Sequence, residues 1–220
     1  MLAQLVQGFH SLLFPAACAD CGLPLESGPS VPLCGGCADR LPRSPFPWLP
    51  GPGRSLDGAF SPFLYKGPCR DLILALKYEG RLSLVPFFAS SMAEEVRRRL
   101  GERPADRVLP VPLHPTRLRE RTFNQAQLLA GAVARRLGIP LEEELLIRCR
   151  PTQPQAELSR EERSRNVRGA FDLRRGPPVQ GLRLLLVDDV LTTGATAQAC
   201  AGLLKSAGAR SVWVVTAARD

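Results

Sequence analysis

The stretch Leu184-Leu185-Leu186-Val187-Asp188-Asp189-Val190-Leu191-Thr192-Thr193-Gly194-Ala195-Thr196 decides the fold. Four apolar residues ending in two carboxylates read as a parallel strand covered on both faces, with Asp188 and Asp189 emerging at its carboxyl end. Ligands of open α/β sheets bind outside that end. The acidic pair offers acceptors to a vicinal diol, and Thr192, Thr193 and Thr196 offer hydroxyl donors to a phosphate. Gly194 permits positive φ or a close backbone approach. Ala195 opens a helical segment, 195–207, whose first N–H groups and dipole favour an anion. An Asp-Asp pair alone is weak, and a plain strand-turn-helix with a capping Thr shares some of these parts. The uninterrupted order reads as a ribose-phosphate site.

Outward from that stretch, residues 60–65 and 107–111 read as strands, and 69–78, 84–100 and 123–137 as helices, the last ended by Gly138. Strands alternating with helices predict an α/β domain with a parallel sheet. Residues 41–55 carry Pro42, Pro45, Pro47, Pro50 and Pro52 with Gly51 and Gly53, the composition of a linker. The expected organisation is therefore an N-terminal helix and cysteine module over 1–40, a linker over 41–55 and the α/β domain over 56–220. No internal repeat or low-complexity tract interrupts it.

A chain of 220 residues that is 45% apolar buries a real core, which excludes disorder and a disulfide miniprotein. The formal net charge of +8 favours polyanionic partners. Of the 29 basic residues only Lys66, Lys77 and Lys205 are lysines; a GC-rich genome accounts for such a bias, although Arg is also the better bidentate phosphate ligand. No stretch approaches the roughly 20 apolar residues of a membrane span. Residues 12–18 faintly resemble a lipoprotein cleavage site but lack a basic leader, so 2–13 are expected to form a short amphipathic helix of a cytoplasmic protein.

Cys18-x-x-Cys21 and Cys34-x-x-Cys37 are separated by twelve residues, 22–33, rich in Gly and Pro. Two such knuckles bring four thiolates into a tetrahedron around structural zinc. Disulfides compete, but no secretory signal supports an oxidising compartment. Cys69, Cys149 and Cys200 stand singly and read as inert buried thiols.

Pro110, Pro112 and Pro115 confine the amide donors of the loop after strand 107–111 to Val111, Leu113 and His114, and stiffen it. Arg117, Arg119 and Arg121 alternate downstream; in an extended segment they would line one side, suiting pyrophosphate, a nucleic-acid backbone or simply solvent. His114 reads as a loop-shaping residue, a metal ligand or an acid. Lys77 falls off the apolar stripe of its helix, where a solvated lysine is the default. With only Trp48, Trp213, two Tyr and nine Phe, no interleaved basic-aromatic platform is visible.

The Asp188 stretch resembles the phosphoribosyl-pyrophosphate (PRPP) signature of type I phosphoribosyltransferases. With the four N-terminal cysteines, Leu76-Lys77-Tyr78, Val111-Pro112-Leu113-His114, Arg121-Thr122-Phe123-Asn124-Gln125, Gln155 through Arg163 to Asn166, and Gly169-Ala170-Phe171 in the same order, the chain resembles the ComF family of competence-associated phosphoribosyltransferase-like proteins. The resemblance implies a type I phosphoribosyltransferase-like parallel sheet flanked by helices. Asp188 and Asp189 would hold the ribose hydroxyls, and Thr192, Thr193, Gly194, Ala195 and Thr196 would cradle the 5-phosphate. Val111, Leu113 and His114 would flank pyrophosphate with Lys77 and Arg121, and Arg163 and Asn166 would reach in from a mobile hood over 150–168. Thr122 departs from the family's usual glycine.

By the same resemblance the protein would bind PRPP with Mg²⁺, carry zinc, and act in natural transformation and DNA uptake on incoming single-stranded DNA. Its partners would be a competence helicase or other DNA-processing proteins, which would bring a cytoplasmic protein to the inner face of the membrane. Any reaction would be pentosyl transfer to an unknown acceptor. The alternative is a nucleobase-salvage phosphoribosyltransferase.

Overall fold

The computed structural model describes residues 17–25, 32–45, 47, 54–150, 167, 169–174 and 179–220. The expected helix over 2–13 and nearly all of the expected hood lie outside them. In chain order the elements are α1 (Gly35–Asp39), β1 (Gly58–Phe60), β2 (Phe63–Leu64), α2 (Gly67–Tyr78), α3 (Leu84–Leu100), β3 (Arg107–Pro110), α4 (Pro115–Arg121), α5 (Gln125–Leu137), β4 (Leu146–Arg148), β5 (Phe171–Leu173), β6 (Arg183–Leu191), α6 (Ala195–Ser206) and β7 (Ser211–Arg219).

The main sheet runs β1-β7-β6-β3, wholly parallel, with β2 continuing the β1 edge along β7. Its two central strands carry continuous apolar runs, Leu184–Val187 and Val212–Val215, because both faces are covered there. Leu184 and Leu186 of β6 pack with Leu109, Ala201 and Leu204. Leu185 and Val187 pack on the other face with Leu72, Phe88 and Leu129 of α2, α3 and α5. Phe60, Phe63 and Phe88, each 1% exposed or less, contribute about 2–3 kcal/mol apiece by burial.

The strand expected over 60–65 is split. β1 and β2 keep one register on β7, Phe60 opposite Val215 and Phe63 opposite Ala218, but Pro62 between them has no N–H for a ladder. The gap is closed by side chains: Thr216 donates to Ala218 O at 2.9 Å, so Ser61 donates to Thr216 Oγ1 at 2.6 Å. Gly58 is required beside them, since a Cβ there would lie 2.4 Å from Cζ3 of Trp213.

Two elements were not expected from sequence. β4 and β5 form a separate antiparallel pair, Leu146 opposite Leu173 and Arg148 opposite Phe171. Residues 115–121 are helical, which corrects the extended arginine row. Arg117 and Arg121, four apart, share a helix face, and Arg119 points away from it. At the start of the expected linker the chain is packed: Leu41 is 2% exposed, Ser44 N–H donates to Pro62 O at 3.0 Å, and Arg43 forms a β-bridge to Phe63. Cys18, Leu33 and Cys37 join the same core as Phe63 and Phe88, so the cysteine module is packed onto the sheet's helical face.

Candidate functional site

Turn chemistry builds the cysteine cluster. Gly22, at φ 74°, lets its N–H return to Cys18 O at 2.9 Å, while the N–H groups of Cys37 and Ala38 return to Cys34 O at 3.1 and 3.0 Å. Ala19 N–H to Pro32 O at 2.8 Å ties the knuckles together. The four Sγ atoms of Cys18, Cys21, Cys34 and Cys37 all lie within 4.8 Å of one another, and Cys21 and Cys34 stand 3.8 Å apart. A tetrahedral zinc with Zn–S bonds of about 2.3 Å demands an S–S edge of about 3.8 Å, so the donor set fits a metal ion such as zinc. Burial works against ionising Cys18, but backbone N–H groups of Cys21, Cys34 and Asp20 outweigh it and hold the thiol down at about 6. Arg40 donates to Cys37 Sγ at 3.0 Å and to Asp20 at 3.3 Å, placing a cation beside the sulfurs.

The carboxylates sit where β6 loses a neighbour. β3 ends at Pro110, opposite Val187, while β6 continues paired with β7 to Leu191. Asp188 and Asp189 are thus inside the strand, three and two residues before its end, rather than beyond it. Strand alternation then sends them apart. Asp189 joins the α2 side, where its Oδ1 meets Lys77 Nζ at 3.0 Å; the two side chains are 14% and 16% exposed. Lys77 is therefore no surface lysine. Asp188 lines a small cleft with Thr192, Gly194, Ala195 and Thr196, floored by Val214 and Thr216. Burial pushes the Asp188 carboxyl up to about 7, and Asp189 adds to this; the Asp189 N–H, which it accepts at 2.8 Å, and the cations of Lys77 and Arg148 oppose the rise.

Gly194, at φ 75°, makes the turn from β6 into α6 and leads the first helical N–H groups into that cleft. Thr193 is differently placed, its Oγ1 accepting from Ala195 N–H at 3.4 Å.

The loop after β3 is an anchor at one end and a cap at the other. Val111 donates its N–H to Val187 O at 2.9 Å and accepts from Asn124 Nδ2 at 3.2 Å, which corrects its expected role as an amide donor to ligand. His114 Nδ1 accepts from Thr116 N–H at 3.2 Å as the N-cap of α4. That cap fixes the turn from the loop into α4. Asn124 also caps α5, accepting from Ala126 N–H at 3.0 Å. Buried Gln125 receives Arg121 Nη1 at 3.4 Å and donates to Lys77 O at 3.4 Å, locking α2, α4 and α5 together.

Thr122 alone among the described non-glycine residues has positive φ, at 64°. A β-branched residue is disfavoured there, and glycine is the residue that this turn suits.

Arg148 was not singled out from sequence. It ends β4 with its guanidinium 5.2 Å from the Phe171 ring centroid, and burial lowers its pKa while Asp188 acts in the opposite sense. Its only signal was the short apolar run before it. Arg163 and Asn166 lie outside the described residues. Cys69 and Cys200 are buried thiols, pushed up by burial, that of Cys69 to about 12, whereas Cys149 is exposed. No helix among the described residues is long and apolar enough to cross a membrane.

Comparison with known proteins agrees with this arrangement. The phosphoribosyl transferase domain family matches residues 124–220. A DNA utilization protein, YhgH, of Salmonella typhimurium is 37% identical over 200 residues, covering 90% of this chain and 81% of the relative. Competence protein F of Haemophilus influenzae is 36% identical over 51% of this chain and 49% of its own length. Competence protein ComFC of Streptococcus pneumoniae is 29% identical over 68% of this chain and 63% of its own. With the parallel α/β sheet, the cleft at the end of β6 and the four-cysteine cluster, they establish that this chain belongs to the ComF family of type I phosphoribosyltransferase-like proteins.

Proposed function

We propose that the protein binds PRPP in the cleft at the end of β6 and handles incoming single-stranded DNA during natural transformation. The observation that carries the first half is the cleft itself, which sets a carboxylate, Asp188, opposite the Thr192–Thr196 turn and the α6 N–H groups. A ribose hydroxyl needs the acceptor and a 5-phosphate needs the donors. Asp189, on the other face of β6, is neutralised by Lys77. Leu113 and His114 supply the amide donors of the pyrophosphate side, with Arg121 and the outlying Arg163 and Asn166 closing over it.

Loss of pyrophosphate from the anomeric carbon leaves positive charge on the ribose ring and negative charge on the departing group. Asp188, when ionised, stabilises the former, and the arginines and loop amides stabilise the latter. Mg²⁺ carried with PRPP supplies further neutralisation of the leaving group. The acceptor of such a pentosyl transfer is the open chemical question, and a salvage transferase acting on a free nucleobase is the second reading.

DNA handling is supported by the net charge of +8 and by relatives named for DNA utilization and competence. It places the protein in the cytoplasm, recruited to the inner face of the membrane by a competence helicase or another DNA-processing partner, with zinc in the cysteine cluster. Calorimetric titration with Mg²⁺-PRPP tests the ligand, with Asp188→Asn as control; an unchanged affinity in that variant refutes the site. Pyrophosphate release on adding a common nucleobase would favour the salvage reading.

A further inference from the structure

Among the described large apolar side chains Tyr78 is the most exposed, at 67%. Single exposed apolar residues are ordinary; what distinguishes this one is how firmly it is held. Arg121 Nη2 donates to the Tyr78 hydroxyl at 3.1 Å, and the guanidinium carbon lies 4.9 Å from the ring centroid. Arg121 is itself fixed by Gln125, which is 1% exposed and donates to the backbone of Lys77. The ring is therefore a preset flat surface, backed by a cation and open to solvent. Two further exposed apolar side chains are near in the chain: Leu118, one turn before Arg121 on α4, and Leu82, in the turn after α2. Arg117 shares the α4 face of Arg121. The residue next to Tyr78 in the chain is Lys77, whose ammonium is at Asp189.

A planar π-surface flanked by guanidinium groups matches one partner chemistry. The unpaired base of a single strand presents a flat face, and its flanking phosphates meet cations. A duplex hides its base faces, and an acidic peptide would use the cations but not the ring. We propose that Tyr78, backed by Arg121, is a stacking platform for a base of single-stranded nucleic acid. Sequence alone argued against such a platform because the two residues are 43 positions apart. The proposal rests on the reading that single-stranded DNA is a partner.

The test compares a labelled oligo(dT) with an abasic deoxyribose-phosphate oligomer of equal length by fluorescence anisotropy at low salt. Wild-type protein binds oligo(dT) more tightly than the abasic strand. Tyr78→Ala loses about tenfold on oligo(dT), the scale of one stacked base, and nothing on the abasic strand, while Tyr78→Phe keeps its affinity. Thermal melting of Tyr78→Ala stays at the wild-type value. If Tyr78→Ala binds oligo(dT) as the wild type does, the platform is overturned and the DNA reading survives. If wild-type protein binds neither strand, both fall. An equal loss by Tyr78→Ala on oligo(dT) and on the abasic strand overturns the platform in favour of a general disturbance.

Discussion

Lys77 Nζ and Asp189 Oδ1 stand 3.0 Å apart across the junction of α2 and β6, both side chains largely withdrawn from water. Burial favours loss of the Lys77 proton, but Asp189 and then Asp188 outweigh it and raise its pKa. The lysine is thus the counter-charge for two adjacent carboxylates. Lys77→Met leaves that acidic pair uncompensated and costs ~2–3 kcal/mol of stability. Lys77→Met with Asp189→Asn recovers most of the loss. Urea unfolding of the wild type, both single variants and the double variant measures the coupling, and simple additivity would show that the pair does not act together.

Asp188 predicts a pH dependence of the opposite sign to that of a salt-bridged carboxylate. Burial and Asp189 raise its pKa from 3.8 to about 7, so between those values the folded chain holds a proton that the unfolded chain releases. Stability from this group therefore falls as pH rises through that window and levels above it. Asp188→Asn removes the slope and stabilises the protein above pH 7 by about 2 kcal/mol, a figure reduced for the partial exposure of the site. PRPP affinity of the wild type moves the other way, rising with pH as the carboxylate acceptor forms. Denaturation midpoints and calorimetry across pH 5–8 check both slopes; parallel slopes for wild type and variant would exclude Asp188 as their source.

Thr122 carries backbone strain at φ 64°, on the order of 1–2 kcal/mol for a β-branched residue. Replacing it by glycine removes the strain but adds unfolded-state freedom that offsets about 0.5–1 kcal/mol. Its hydroxyl bonds only to the neighbouring Arg121 carbonyl, at 2.6 Å on the surface. Thr122→Gly therefore raises the urea midpoint, by a net of up to about 1 kcal/mol. A lowered midpoint would show that the turn is not strained in solution.

Long-period patterns were legible in the sequence, and contacts between distant residues were not. The apolar run before Asp188, the helical stripes of α3 and α5 and the paired knuckles each rest on local spacing, and each is present. What periodicity alone misjudged was governed by helix capping or by tertiary packing. Arg117 to Arg121 form a helix because His114 caps Thr116 N–H and Pro115 starts the turn, and Lys77 is buried because Asp189 receives it. Val111 lost its expected role because its N–H completes the ladder to β6. Arg148 and Tyr78 were missed because their partners, Phe171 and Arg121, are far along the chain.

The cysteine cluster predicts one zinc per chain, held strongly enough to survive dialysis. Cys18→Ser or Cys34→Ser abolishes it. Because Cys18 and Cys37 are core residues beside Leu33 and Phe63, metal loss also lowers the melting temperature, and a strong chelator does the same to the wild type. Elemental analysis of protein purified without chelator decides the matter: equimolar disulfides and no metal would sink the zinc assignment.

Helical geometry sharpens the expectation for DNA. Arg117 and Arg121 share one face of α4, and Arg119 does not, so the three arginines contribute unequally. Each phosphate neutralised on a single strand adds about 0.7 to the slope of log affinity against log salt. Arg117→Ala flattens that slope by roughly one contact, with base preference unchanged. Arg119→Ala leaves the slope where it was, because its guanidinium stands off the face that carries Tyr78. Titrations of oligo(dT) at several salt concentrations separate the two variants. Equal flattening by both would mean that the strand is not confined to the α4 face that carries Tyr78. Tight binding that ignores salt would remove the phosphate contacts altogether and leave a small-molecule transferase as the better account of this chain.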